Sequence, residues 1–129
     1  MGHVYLGNSS GGIDISKLST ETVVGTSGIN SSTAQIVFPT MRKVHIIVSF
    51  GAQVSYATAY TLNSFIDITL DGTNWIQIAN LSKTPTVYQM AVVINPITRP
   101  LISNEIRGIR VRTTGVAIEE VASFTYFYE

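Results

Sequence analysis

The chain has 129 residues, of which 12% are charged, and its eight Lys/Arg and eight Asp/Glu cancel to a net charge of zero. Nucleic acid is therefore excluded as the main partner, because neutralising phosphates requires a basic excess. The absence of cysteine excludes disulfides, thiolate metal sites and cysteine nucleophiles.

The composition favours β-structure. The chain has 16 Ile, 13 Val and 15 Thr but only 6 Leu and 8 Ala. Side chains branched at Cβ are stiff and fit a pleated sheet better than a helix. The length suits a single folding unit.

The first 32 residues differ from the remainder. Residues 1–32 are rich in Ser, Thr and Gly, and their apolar residues occur only in short groups. We predict an N-terminal arm over 1–32 that lies on a surface of its own domain or of a neighbour, and a β-sandwich domain over 33–129. The apolar side chains expected to be buried in that contact are Val4, Tyr5, Leu6, Ile13, Ile15, Val23 and Val24.

The sandwich is predicted to begin with strands over 34–38 and 44–50. Pro39 is expected to end the first strand and Gly51 the second. A strand over 62–70 alternates cleanly, and Asp71-Gly72-Thr73-Asn74 then predicts a hairpin turn with Gly72 at positive φ. The returning strand is expected over 75–79. The residues predicted to be buried are Val44, Ile46, Val48, Phe50, Ile66, Ile68, Leu70, Ile109 and Val111.

Three more strands are predicted in the C-terminal part, over 87–94, 106–113 and 121–128. Residues 95–104 contain two prolines and are expected to form a loop. Strands separated by turn residues, without a helical period, predict an antiparallel β-sandwich. A jelly roll is preferred, and an immunoglobulin-like sandwich is the alternative.

Residues suited to catalysis or metal binding are scarce. The two histidines, His3 and His45, lie far apart, and no pair of carboxylates is singled out. A nucleophile triad needs a base and an orienting acid together, and zinc needs at least three good ligands. We therefore predict no enzymatic activity, no cofactor and no metal. No apolar run is long enough to span a membrane, and no secretory signal is recognised.

Arginines and aromatic residues are the remaining features. Arg107, Arg110 and Arg112 lie close together, with Arg110 and Arg112 on one face of a predicted strand. They are interpreted either as a solvated face paired with Glu105, Glu119 or Glu120, or as an inter-subunit contact, for which guanidinium groups are well suited. The aromatic residues Trp75, Tyr88, Phe124, Tyr126, Phe127 and Tyr128 are expected to be mainly core.

The segment Thr69-Leu70-Asp71-Gly72-Thr73-Asn74-Trp75-Ile76-Gln77-Ile78 resembles hairpins of β-sandwich domains in phage virion proteins and in carbohydrate-binding modules. Together with the glycine-punctuated arm, it makes the chain similar to phage capsid decoration (cement) proteins. The resemblance implies a jelly-roll virion protein that assembles in the host cytoplasm, forms a homotrimer and binds the major capsid protein or other virion subunits. A carbohydrate-binding module, such as a fibre-tip domain that binds a glycan, is the alternative.

The scarcity of charged residues also predicts that the protein forms an oligomer. Uncharged segments such as 87–94 invite pairing with another chain when they lie at a sheet edge. We therefore predict an obligate oligomer, with Arg107, Arg110 and Arg112 near the contact.

Overall fold

The computed structural model describes residues 15–53, 62–83, 92–93, 97–115 and 120–129. These residues form a short 3-10 turn at Ile15–Lys17 and seven strands. The strands are β1 (Ser19–Val24), β2 (Ser31–Gln53), β3 (Leu62–Thr69), β4 (Trp75–Lys83), β5 (Val92–Val93), β6 (Ile97–Thr114) and β7 (Glu120–Tyr128). The predicted all-β class is confirmed.

All the strand pairs are antiparallel, and the strand order is β1-β7-β2-β6-β3-β4, with β5 paired to β2. The long strands β2 and β6 pair in three stretches, separated by one register shift between Val37 and Arg42 and a second between Val44 and Ile46. Irregularities of this kind bend a strand and increase its twist. The first part of β2 pairs with β6 alone, whereas the part from Val44 onward pairs with β6 on one side and with β7 on the other.

The sheet folds over onto itself as a sandwich. In a flat sheet β3 and β7 would lie about 14 Å apart, because neighbouring strands are spaced about 4.8 Å. Instead Ile66 of β3 and Phe124 of β7 belong to one buried cluster. The Phe38 and Tyr126 rings are 5.4 Å apart. Both ends of β2 also meet β7 at Ala122, which pairs with Gly51 and donates its N–H to Ser32 Oγ.

The core is made of aliphatic and aromatic side chains from both halves of the folded sheet. Its fully or nearly fully buried members are Ala34, Phe38, Val44, Ile47, Ile66, Ala79, Ile106, Ile109, Val111, Ala122, Phe124 and Tyr126. This confirms the predicted burial of Val44, Ile66, Ile109 and Val111, and Ile46 is buried as well.

The core prediction was wrong for Leu70, whose exposed fraction is 51%. Leu70 follows the last register pair, Thr69 with Trp75, so it lies where the paired strands end. Val48 and Ile68 are only half-buried. The side chain of Phe50 lies outside the described residues.

The predicted loop over 95–104 was also wrong, because β6 begins at Ile97 and pairs with β2 along 97–100. Pro100 pairs with Ile46 beside a register shift, and Pro39 lies inside β2 between the register pairs of Val37 and Arg42. Proline lacks an N–H and is tolerated at such irregularities. Neither proline therefore ends its strand.

The described part of the predicted arm belongs to the chain's own sheet. β1 pairs with β7 from Ser19 opposite Tyr128 to Val24 opposite Ser123. β2 begins at Ser31, two residues before the predicted start of the sandwich. The predicted strand over 87–94 lies mostly outside the described residues, and its Val92 and Val93 pair with β2.

Candidate functional site

The outward surface of β3, β4 and β6 gathers the polar and aromatic side chains into rows across the sheet. In one row Gln77, Asp67 and Arg110 are neighbours, and Gln35 of β2 continues it. The adjacent rows are Trp75, Thr69, Gly108 and Val37 on one side, and Asn80, Phe65, Arg112 and Thr33 on the other. We call this surface the arginine face.

Asp67 is the centre of the arginine face. Its Oδ2 accepts hydrogen bonds from Arg110 Nε at 2.8 Å and from Arg112 Nε at 2.6 Å, and its Oδ1 accepts from Arg112 Nη2 at 3.0 Å. Burial disfavours the ionised carboxylate, but the hydrogen bonds from Arg112 and Arg110 outweigh it and hold the pKa of Asp67 below its ordinary value. The carboxylate therefore stays ionised between two guanidinium groups.

Each guanidinium group also lies against an aromatic ring. The Arg110 Cζ is 4.6 Å from the Trp75 ring centre, and the Arg112 Cζ is 4.8 Å from the Phe65 ring centre. Cations within about 6 Å of a ring face are attracted by its quadrupole. Both arginines are thus held from two sides, by a carboxylate and by a ring.

Gly108 makes room for the Trp75 indole. A Cβ at position 108 would lie 2.7 Å from the Ile36 carbonyl oxygen, 2.9 Å from Thr69 Cγ2 and 3.3 Å from Trp75 Cη2. Only glycine leaves this space open without displacing its neighbours. A residue without a side chain in β6 therefore fixes how closely Trp75 approaches the sheet.

The β3–β4 hairpin sets the position of Trp75. Asp71 Oδ1 accepts from the backbone N–H groups of Thr73 and Asn74, each at 2.8 Å, and Gly72 has φ of 85°. These bonds from Asn74 and Thr73 lower the pKa of Asp71. The predicted turn is confirmed, and Trp75 begins the returning strand directly after it.

Arg107, the third arginine of the predicted interface, lies away from this cluster. Its Nε donates to the Phe38 carbonyl oxygen at 3.0 Å. Arg110 and Arg112 pair with Asp67 of their own chain, not with one of the glutamates considered from the sequence. Glu105 is exposed, and Glu120 is buried, with Oε2 lacking a hydrogen-bond partner among the described residues.

The apolar residues predicted for the arm contact lie in different places. Val23 is half-buried opposite Phe124, whereas Val24 is 66% exposed. The side chain of Ile15 is not described, and Val4, Tyr5, Leu6 and Ile13 lie outside the described residues. Within the described ranges, the exposed large apolar side chains are Val24, Ile29, Val37, Met41, Leu70 and Ile76.

The described part of the chain contains no group of three or more His, Asp or Glu placed to hold a metal ion. It also contains no helix long and apolar enough to cross a membrane.

No protein-family profile matches the chain, and no curated protein sequence matches it. Its backbone is similar to solved structures of several kinds. One is infectious bursal disease virus, Gx strain, with 12% identity and a TM-score of 0.49 over 87% of this chain, which spans 32% of the viral chain. Another is chitosan-binding module 1 of a chitosanase/glucanase from Paenibacillus sp. IK-5, with 17% identity and a TM-score of 0.42 over 95% of this chain and 80% of the module.

A third similar structure is that of Bacillus endospore appendages, described as disulfide-linked pili, with 13% identity and a TM-score of 0.42. The match covers 86% of this chain and 87% of that chain. All three similarities are in the backbone structure, at low sequence identity.

Proposed function

We propose that this protein is a non-enzymatic structural protein of a virion, a homotrimeric capsid decoration protein that stabilises the shell by binding across capsid subunits. The supporting observation is the exposed apolar surface beside the edge strand β1. Val24 is 66% exposed and Ile29, just after β1, is 74% exposed. Among the described strands, β1 pairs only with β7.

An edge strand of this composition is suited to association. The sequence of β1, Ser-Thr-Glu-Thr-Val-Val, carries a single charge, and its Glu21 carboxylate is already bonded to Tyr126. Edge strands without charged or proline guards pair readily with another chain. Covering Val24 and Ile29 stabilises a contact by about 25 cal/mol for each Å² of apolar surface removed from water.

The first test is whether the protein co-purifies with virus particles. Particles from the source culture are separated on a density gradient and probed with an antibody to this chain. We expect the protein in the particle fractions, and an isolated species larger than 14 kDa in sedimentation velocity at micromolar concentration. A 14 kDa species that is absent from particles would overturn the proposal.

Paired variants then test the β1 surface. Val24→Asp introduces a charge at the proposed contact, and Leu70→Asp introduces the same charge at an exposed apolar side chain after the end of β3. We expect Val24→Asp to lower the number of particle-bound copies at least about tenfold, which corresponds to 1.4 kcal/mol. Leu70→Asp should bind as the parent does. Equal binding of both variants would show that β1 does not form the contact.

A carbohydrate-binding module is the second candidate, and the arginine face favours it. Two aromatic rings, Trp75 and Phe65, lie there beside the amide side chains of Gln77 and Asn80. Apolar rings with a few polar groups around them are typical of small-molecule sites. Direct measurement of glycan binding to the full chain tests this candidate.

A further inference from the structure

In the arginine face, the two arginine side chains are accessible to solvent, whereas the carboxylate between them is not. The Asp67 side chain is only 2% exposed, whereas those of Arg110 and Arg112 are 26% and 33% exposed. One buried negative charge and two half-exposed positive charges leave a net charge of +1. The accessible part of the cluster is therefore cationic and suited to an anion.

Both guanidinium groups retain donors for a ligand. A guanidinium has five N–H groups. Arg110 uses Nε for Asp67, and Arg112 uses Nε and Nη2 for Asp67, with Nη2 also 3.4 Å from Gln77 Oε1. The structure gives the other nitrogens of these groups no hydrogen-bond partner within its described ranges. A carboxylate accepts two parallel N–H hydrogen bonds from two neighbouring nitrogens of one guanidinium group.

The two arginines are ordered before any ligand binds. Asp67 fixes both Nε atoms, and the Trp75 and Phe65 ring centres lie 4.6 and 4.8 Å from the Cζ atoms of Arg110 and Arg112. Ordering a long side chain on binding costs conformational entropy. A site whose arginines are already held avoids much of this cost.

The surroundings of the arginines fit a sugar chain better than a protein segment. A protein interface has an apolar centre, yet the centre of this face is Asp67 with its two arginines. Exposed amide and hydroxyl side chains surround it, namely Gln35, Gln77, Asn80 and Thr33. Among the described residues, Val24 and Ile29 are the most exposed large apolar side chains, and they belong to the β1 side of the molecule.

We propose that the arginine face binds an acidic carbohydrate, with Arg110 and Arg112 as carboxylate receptors and Trp75 and Phe65 as the apolar surface for the sugar rings. This inference rests on the carbohydrate-binding candidate and names its ligand class. It assigns Asp67 a positioning role, in which its carboxylate holds both guanidinium groups and does not touch the ligand.

Calorimetric titration of the full chain tests the ligand class. The probes are a short oligogalacturonate, its fully methyl-esterified form and poly-glutamate, each at low and at high salt. We expect the oligogalacturonate to bind at least about tenfold tighter than the ester, a difference of 1.4 kcal/mol, and to weaken as salt rises. Poly-glutamate should bind more weakly than the oligogalacturonate.

Each other outcome has a distinct meaning. Equal affinity for the acid and its ester would overturn the acidic ligand and leave the carbohydrate-binding candidate standing. No binding of either sugar would overturn both. Equal or tighter binding of poly-glutamate would assign the site to an acidic protein partner and overturn the carbohydrate proposal.

Variants test the roles of the residues. Arg110→Gln and Arg112→Gln should each lose at least about tenfold in affinity, which is 1.4 kcal/mol. The matched control Arg107→Gln removes the same charge away from the face and should change affinity less than twofold. A similar loss in all three variants would show that net charge alone governs binding.

Asp67→Asn separates positioning from simple attraction. The substitution makes the face more positive, so charge alone would tighten binding, whereas loss of the anchored geometry should weaken it. Arg110→Lys provides the same distinction if Asp67→Asn fails to fold, because it keeps the charge and removes the fork. Unchanged or tighter binding in the folded variant would overturn the anchored receptor.

Discussion

The Tyr126 hydroxyl donates a hydrogen bond to the Glu21 carboxylate at 2.6 Å and so ties the edge strand β1 to a fully buried ring of β7. Burial and this carboxylate both raise the pKa of Tyr126 above its ordinary value, so the phenol stays protonated and keeps donating. The Thr22 and Thr125 hydroxyls, 2.7 Å apart, join the same two strands.

Removing the donor should loosen β1. We expect Tyr126→Phe to lower the free energy of unfolding by about 1 kcal/mol, as for a single hydrogen bond to a partly exposed partner. Glu21→Gln should cost less, because its amide oxygen still accepts. A double-mutant cycle of Tyr126→Phe with Glu21→Ala, in which each substitution removes the bond, measures the coupling from urea unfolding. Additive effects of these two substitutions would show that the bond contributes nothing.

Asp67 should make the protein sensitive to acid. Its folded-state pKa lies below the unfolded value, so its stabilising contribution is complete above the unfolded pKa and is lost as pH falls through the folded pKa. Urea unfolding at pH values from neutral down to about 2 should show this loss. Asp67→Asn should be less stable than the parent at neutral pH, and the difference should shrink as the pH falls. A constant difference would contradict the pairing with Arg110 and Arg112.

Glu120 should behave in the opposite way. Burial raises the pKa of its carboxyl above the ordinary value, and a hydrogen bond with Thr113 offsets this only in part. Because the folded pKa is raised, stability is greatest below the unfolded pKa and falls as pH rises through the folded pKa.

Glu120→Gln removes that penalty while keeping a side chain of similar shape. Thermal unfolding at pH 4 and pH 8 should show that the variant gains stability relative to the parent only at the higher pH. The exposed Glu105→Gln is the matched control and should change little at either pH. A Glu120→Gln variant less stable than the parent at pH 8 would contradict the prediction.

Gly108→Ala should disturb the arginine face from beneath. The added Cβ would meet the Ile36 carbonyl oxygen at 2.7 Å, which requires the strands to shift. We expect a loss of about 1–3 kcal/mol, as for overpacking elsewhere. Because Trp75 is the single tryptophan, its fluorescence should report the displacement directly. Val37→Ala in the same row, at an exposed side chain, should cost less than about 0.5 kcal/mol.

The local features of the fold could be predicted from the sequence because they depend on neighbours along the chain. Alternation over 62–70 and the Asp71-Gly72 turn predict the β3–β4 hairpin, and the structure contains it. The loop predicted over 95–104 fails because prolines are read as strand breakers. Pairing with β2 along a bulged ladder overrides that local signal.

The arginine face could not be predicted in full from the sequence, because its contacts depend on long-range strand pairing. Alternation places Asp67, Arg110 and Arg112 on outward faces. Their contact depends on the register between β3 and β6, which brings together residues more than 40 positions apart in the sequence. Nothing local specifies that register. The sequence carries one relevant signal, the charge of Asp67. A carboxylate that becomes buried in a sheet requires a partner.

The place of β7 between β1 and β2 has a consequence for how the chain is made. β1 and β2 both precede β7, and the pair Ser19 and Tyr128 spans nearly the whole described sequence. Contacts of such long range slow folding, since the intervening chain must be ordered first. During synthesis β2 and β6 can already pair, but a gap stays open beside them until Glu120–Tyr128 has left the ribosome. The strand that completes the sheet is therefore the last of the described strands to be synthesised, and until then both β1 and β2 expose the edges that β7 will fill.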